Sequence, residues 1–286
     1  MPQGMAKNGR MLDCPHEAEN ACFRPAALNR HERMDDLAHA GRRIIQNTRE
    51  FCFSMDAVLL AHFPSVHKGD RMLDLGTGTG ILPLLLADEA GRVDAIEYNP
   101  VMASLARRNI ALNALEEKVR IIEGDYRKIR ELCPPEQFDL VLANPPYYPA
   151  GQGRNSQRDG TARHELTATL ADTVQAAAWA LRFHGRLAMV HIPERLGEIC
   201  VALHERRLEL KRLRFVQPRA GKAPNLLLLE AVKGAAPGGL RMLAPLAVRN
   251  ADGSYTEEIK EIYGKGCDGI GRRTGGDSVS MRDANR

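Results

Sequence analysis

Arg71-Met72-Leu73-Asp74-Leu75-Gly76-Thr77-Gly78-Thr79-Gly80 decides how this chain is read. The first five residues form an apolar run of the length of a buried strand, and three glycines follow at alternate positions. An apolar run over 81–87 then has helical character. Strand, glycine loop and helix in that order give the glycines their meaning, because backbone without a Cβ lets N–H groups approach a ligand closely. The spacing is GxGxG, with Ile81 at the sixth position. A dinucleotide loop wants glycine there so that helix and strand close around a pyrophosphate, which argues against NAD.

Working outward, strands and helices alternate. Residues 93–97 read as a second strand with Glu97 at its tip, and Asn99-Pro100 as N-cap and first position of a helix to about Asn113. Residues 119–122 form a third strand, closed by Glu123-Gly124-Asp125 and a short helix. Residues 138–143 form a fourth, which stops at Asn144-Pro145-Pro146-Tyr147. A helix over about 166–181, a strand over 186–191, a helix over 194–206 and strands over 208–217 and 226–232 follow. The pattern predicts an α/β, doubly wound, seven-stranded Rossmann-like sheet ending in an antiparallel hairpin. Upstream, Ser54 is placed to cap a helix over 55–61, behind a short apolar segment at 43–46. An Asp252-Gly253 turn precedes a last short helix near Tyr263. Residues 1–33 and 264–286 lack apolar periodicity and read as disordered extensions around one domain, 34–263.

The chain has 286 residues, a formal charge of +4 and 44% hydrophobic residues, enough for one sizeable core. No apolar run approaches the roughly 20 residues needed to span a bilayer. The first ten residues lack a signal-peptide core, so a cytoplasmic protein is expected. Six cysteines lie scattered without CxxC spacing, which points to reduced thiols rather than a metal site. The mild basic excess permits a nucleic-acid partner.

Two constellations carry chemistry. The prolines after Asn144 force a rigid extended turn just beyond the strand. That turn presents the Asn144 amide, the Pro145 carbonyl and the Tyr147 ring. Two acceptors and an aromatic face suit a planar amine, such as adenine N6 or a glutamine side-chain amide. The second constellation is acidic. Asp74 lies just before the first glycine, where a positively charged ligand group would sit. Glu97 is placed to accept from two ribose hydroxyls, and Asp125, at the third strand's end, to recognise an adenine amine. With Gly76, Gly78 and Gly80 these acids suit S-adenosylmethionine, an adenosine bearing an ammonium and no phosphate. An acid at a strand end can also merely cap a turn. The three in register on consecutive strands count against that.

These residues resemble class I S-adenosylmethionine-dependent methyltransferases, and more narrowly the bacterial group that methylates N6 of adenine 37 in a valine tRNA. The resemblance rests on residues 73–80, Glu97-Tyr98-Asn99, Gly124-Asp125 and Asn144-Pro145-Pro146-Tyr147-Tyr148, with weaker support from Gln46, residues 51–57 and Ala162-Arg163-His164-Glu165. It covers about 35–263. It implies a methyltransferase sheet and transfer of methyl from S-adenosylmethionine to an adenine N6 in the anticodon loop of tRNA. Asn144, Pro145 and Tyr147 would be catalytic, with Tyr147 stacking on an extracted base. Pro146, Tyr148, Arg163 and His164 would touch substrate, although Tyr148 suits packing and His164 equally suits capping the next helix. The long polar N-terminal extension departs from the family pattern.

From 203 to 222, seven Lys/Arg stand against two Glu. Most such runs are solvated surface; Arg219 and Lys222, read in a loop, are the residues expected to meet an RNA backbone. Three rivals stand beside tRNA methylation. Methylation of a protein glutamine usually brings a helical N-terminal domain, for which about 35 irregular residues leave no room. DNA adenine methylation usually brings an inserted recognition domain. A non-catalytic nucleotide- or RNA-binding module would have no use for an amine-holding turn.

Overall fold

The computed structural model describes residues 28–37, 41–48, 54–147 and 168–264. A hairpin of β1 (Glu32–Asp36) and β2 (Arg43–Asn47) precedes α1 (Met55–His62). The sheet then begins with β3 (Arg71–Leu75), α2 (Ile81–Leu86), β4 (Arg92–Glu97), α3 (Pro100–Leu112) and β5 (Val119–Glu123). A 3-10 turn (Tyr126–Lys128), α4 (Ile129–Leu132), β6 (Phe138–Ala143), α5 (Leu170–Ala180), β7 (Leu181–His191) and a second 3-10 turn (Pro193–Arg195) follow. The chain ends with α6 (Leu196–Glu205), β8 (Leu208–Arg219), β9 (Leu226–Lys233), β10 (Arg241–Met242), β11 (Leu246–Arg249) and α7 (Glu257–Tyr263).

The strand order is β10-β8-β9-β7-β6-β3-β4-β5, with β11 also paired to β8. β3 to β7 run parallel, and β9 enters antiparallel between β7 and β8. Seven of these nine strands are those expected from sequence; β10 and β11 extend the far edge and were not foreseen. The chain leaves β3 first toward β4 and β5, then returns to place β6 on the other side. That reversal opens a crevice between β3 and β6 at the strands' carboxyl ends, where such sheets bind ligands.

Side-chain alternation sorts the core into two layers. Met72, Leu140, Leu142 and Ala188 pack with α1 and α2, whereas Leu73, Val141, Leu187 and Met189 pack with α5 and α6. Leu140, Leu142 and Leu187 are wholly buried, and full burial of a leucine contributes about 1.5–3 kcal/mol.

The N-terminal hairpin is docked by asparagines. Asn109 on α3 and Asn113, the C-cap residue four positions on, share one face. Asn109 Oδ1 accepts from Ile45 N–H (2.7 Å), while its Nδ2 donates to the Ile45 and Thr79 carbonyls (3.0 and 2.9 Å). Asn113 pairs the same way with the Arg43 N–H and carbonyl (3.0 and 2.7 Å). Arg108 adds a two-pronged bond to Glu32 (2.7 and 2.9 Å). The folded part therefore includes Glu32 and Arg33, which sequence reading assigned to the extension. Residues 1–27 and 265–286, expected to be disordered, lie outside the described residues.

Asn109 is fully buried, so Asn109→Ala strands three backbone groups that water cannot reach. Urea unfolding of this variant is expected to show a loss of about 3 kcal/mol with an unchanged denaturant slope.

Candidate functional site

Register sets the site. Leu75 of β3 is the partner of Ala143 on β6 and of Ile96 on β4. Gly76, Asn144 and Glu97 therefore leave three adjacent strands at one level. Gly76 and Gly80 hold φ of +81° and +84°, where a side chain would strain the backbone. A Cβ at Gly80 would also meet Ala106 at 3.5 Å.

The glycine loop turns its N–H groups inward. Gly76 and Thr77 both donate to the Ile96 carbonyl (2.9 and 3.0 Å), and Gly80 donates to the Thr77 carbonyl (3.0 Å). Gly78 N–H reaches Glu97 Oε2 at 2.8 Å, and Asn99 N–H reaches Glu97 Oε1 at 2.8 Å. Two backbone donors thus hold the Glu97 carboxylate still while leaving it lone pairs to accept more. A loop with its donors engaged and three acids nearby is a poor cradle for phosphate.

Asp74 is the outlier. It alternates onto the α1–α2 side, is 1% exposed, and neither carboxylate oxygen has a hydrogen-bond partner among the described residues. Burial, with some help from the Glu97 charge, pushes its pKa from 3.8 up to about 7. The neighbouring Thr77 hydroxyl, itself without a bond of good geometry, offsets only part of this. A buried acid left unpaired beside a ligand crevice is fitted to a cationic group.

Asp125 is less open than sequence suggested. It accepts from the Arg127 backbone N–H (2.9 Å) and from the Arg127 guanidinium (2.6–2.9 Å). Those bonds hold its carboxyl below the usual range against the opposing effect of burial. Arg127, which also lies 6.0 Å over the Tyr98 ring, was not picked out from sequence. An arginine two residues past an acid carries no signal until the turn folds it back.

The Asn144–Tyr147 turn is gripped from behind. Asn144 is half-buried, Pro145 buried and Pro146 exposed. The Tyr147 hydroxyl donates to Asp56 Oδ2 on α1, and lies 3.3 Å from Asn144 Oδ1. The Tyr147 carbonyl accepts from Arg195 (3.2 Å), and its ring tilts against His191 at 5.3 Å between centroids. Burial and the Asp56 charge push the phenol well above its ordinary pKa. His191 is fully buried, and burial and the Arg195 charge push it down to about 4, so it is neutral at working pH. Its Nδ1 accepts from Ile192 N–H at 2.8 Å. Sequence reading missed Asp56, His191 and Arg195 as neighbours of the turn, because 91, 44 and 48 residues separate them from Tyr147.

Tyr148, Arg163 and His164 lie outside the described residues. In the basic run, Arg206 bonds Gln175, Lys211 bonds the Ala236 and Gly238 carbonyls, Arg212 pairs with Glu230, and Arg214 grips Glu258. Arg219 closes β8 rather than lying in a loop, and Lys222 follows in the β8–β9 turn. Both are exposed, and neither side chain has a partner among the described residues. Because β9 runs antiparallel to β7, that turn lies at the same sheet edge as Asn144. No helix among the described residues is long and apolar enough to cross a membrane, and no cluster there could hold a metal ion.

Comparison with known proteins places the chain among methyltransferases. A sequence model of the methyltransferase small domain matches residues 54–198. The tRNA1(Val) (adenine(37)-N6)-methyltransferase of Tolumonas auensis is 33% identical over 208 residues, covering 71% of this chain and 84% of its own. The protein of that name from Shewanella strain MR-4 is 28% identical over 211 residues, covering 73% and 89%. A crystal structure described as a predicted O-methyltransferase from Agrobacterium tumefaciens superposes with a TM-score of 0.61 at 24% identity, covering 73% of this chain and 95% of that one, and so shares the fold.

Asp74 makes stability depend on pH. With its folded pKa near 7 and its unfolded value near 3.8, the folded state carries the extra proton between those pH values. Stability therefore falls as pH rises from 4 to 7 and levels off above, a drop of up to about 4 kcal/mol from this group. Denaturant unfolding of ligand-free Asp74→Asn should lack this slope and show a gain over the parent at pH 8 but not at pH 4.

Proposed function

The chain belongs to the methyltransferase small domain family, and we propose that it methylates the N6 amine of an adenine in tRNA, the anticodon-loop adenine of a valine tRNA, using S-adenosylmethionine. The observation that carries this reading is the unpaired, buried Asp74 beside a glycine loop whose donors are engaged. A cationic adenosine without phosphates fits that set of acceptors, and a dinucleotide does not. When bound, S-adenosylmethionine supplies an electrophilic methyl sulfonium. Asp74 would face its ammonium, Glu97 would accept from the ribose hydroxyls, and Asp125, held by Arg127, would accept from the adenine amine. Relatives named for tRNA adenine-37 methylation supply the substrate.

The turn does the rest. Adenine N6 is a weak nucleophile because its lone pair is delocalised into the ring. The Asn144 side chain and the Pro145 carbonyl would each accept one N6–H, which localises the pair and aims it. Orientation and fixed dipoles supply the rate, and no strong general base is needed. Tyr147 would line the base's pocket with Pro146 beside it. An unpaired loop nucleotide reaches such a pocket without breaking a stack. Arg219 and Lys222, at the same edge, would contact backbone phosphates.

Methyl transfer from labelled S-adenosylmethionine to tRNA, rRNA, DNA and a release-factor protein, followed by nucleoside analysis, tests the reading. N6-methyladenosine in tRNA is the expected product; label in protein would hand the site to the glutamine amide. Asn144→Ala should abolish transfer while calorimetric cofactor affinity stays within a few-fold of the parent. Charge reversal of Arg219 and Lys222 should weaken tRNA binding and flatten its log–log salt slope by roughly one to two. An unchanged slope would remove both from the interface.

A further inference from the structure

We propose that Asp56 is a positioning residue which, acting through Tyr147, sets the orientation of the Asn144 amide so that its oxygen rather than its nitrogen meets the target amine. This rests on the role of Asn144 given above and adds to it a device that lies on another element of the fold.

The Tyr147 hydroxyl has one proton, and two acceptors face it: Asp56 Oδ2 and, at 3.3 Å, Asn144 Oδ1. The carboxylate is the stronger acceptor and makes the shorter contact, so it takes the proton. The phenol oxygen then turns a lone pair toward Asn144, and oxygen against oxygen at that distance is unfavourable. An amide's two ends differ in chemistry and hardly in shape, so partners decide which end points where. A half-turn of the Asn144 amide removes the conflict. Nδ2–H then donates to Tyr147 Oη, and Oδ1 is left to accept from an amine. The chain of donors runs from Asn144 to Tyr147 to Asp56, each link fixing the next.

The structure gives this relay a rigid frame. Asp56 stands in the first turn of α1, whose next five residues, 57–61, are all buried in the core. The phenol cannot swing away, because its ring rests on the buried His191 and its carbonyl is held by Arg195. Arg195 is in turn paired with Glu198. Burial keeps the phenol protonated across the working pH range. With Nδ2 toward the target, the amide would repel the N–H groups it has to hold. The gain is therefore in the reacting complex and not in cofactor binding.

Selective 15N-asparagine labelling reads the relay without any turnover. One Asn144 Nδ2 proton, assigned by its loss in Asn144→Ala, should be shifted and slow to exchange in the parent protein. It should revert to an ordinary solvent-exposed amide in Tyr147→Phe and in Asp56→Ala. In transfer assays each of these variants should lose about 10- to 100-fold in kcat with cofactor affinity within two-fold. The double variant should be no worse than either single one. Asp56→Asn, whose amide oxygen can still accept the phenol proton, should recover part of the loss seen in Asp56→Ala. Additive losses, or an Asn144 signal indifferent to Tyr147→Phe, overturn the proposal. If Asp56→Ala does not fold, Tyr147→Phe, which deletes one oxygen, decides alone. Should the parent label neither nucleic acid nor protein while the Asn144 signal responds as stated, the substrate reading falls and the relay stands. Transfer to tRNA with no such response sinks the relay alone.

Discussion

Because Leu75 and Ala143 are register partners in adjacent parallel strands, the chain leaves the sheet at Gly76 and at Asn144 side by side. The glycine loop and the Asn144–Tyr147 turn need no linker to bring them together; the hydrogen-bond ladder does so. The same ladder puts Ile96 beside Leu75 and Met189 beside Ala143, so Glu97 emerges next to the glycine loop and His191 on the far side of the Asn144 turn. A slip of one residue in β3 would invert its side chains. Asp74 would then exchange layers with Leu73 and Leu75, which now pack among α5 and α6. The apolar alternation that makes such a slip costly also places the acid.

That placement sets stability against use. Asp74 has no partner of its own, and the ionised form is penalised by burial. Structural economy would put an apolar residue there, as at Met72 one turn of the alternation earlier. A charge retained at such a cost is found where a ligand relieves it. Glu97 and Asp125 show the opposite handling. Each is held by donors from its own neighbourhood, Glu97 by two backbone N–H groups and Asp125 by Arg127. The held acids are fixed in orientation, whereas the bare one is available to pair with charge.

Much of this was legible in the chain because the signals were local. Strand, glycine loop and helix follow one another within 17 residues from Arg71, and the capping side chain of Asn99 accepts from Val101 and Met102 as its sequence position implied. The sheet strands read well because each is a compact apolar run. The N-terminal hairpin did not, because β1 is Glu-Arg-Met-Asp-Asp and owes its place to side chains on α3 rather than to its own pattern. β10 and β11 are two and four residues long and lean on β8, too little chain to show a period. Within the candidate site, the glycine loop, the strand-end acids and the Asn144 turn were visible in sequence, and the residues packed behind the turn were not. Asp56, His191 and Arg195 lie on α1, β7 and the turn before α6, and only the fold brings them to Tyr147.

An amine-holding turn cannot by itself separate an adenine from a glutamine amide, since both offer a planar NH2 to two acceptors. The rest of the molecule attached to that amine makes the difference, and it has to lie along the carboxyl edge of the sheet. There Arg219 and Lys222 present charge that no described residue neutralises, while the neighbouring arginines of the same run are tied to Glu230 and Glu258. Arg249, the register partner of Arg219, adds a guanidinium lying 4.3 Å over the Tyr255 ring. A peptide gains little from unpaired cations there, and a phosphate backbone gains with every counterion it sheds. Charge left open at this edge favours a polyanion as the carrier of the amine.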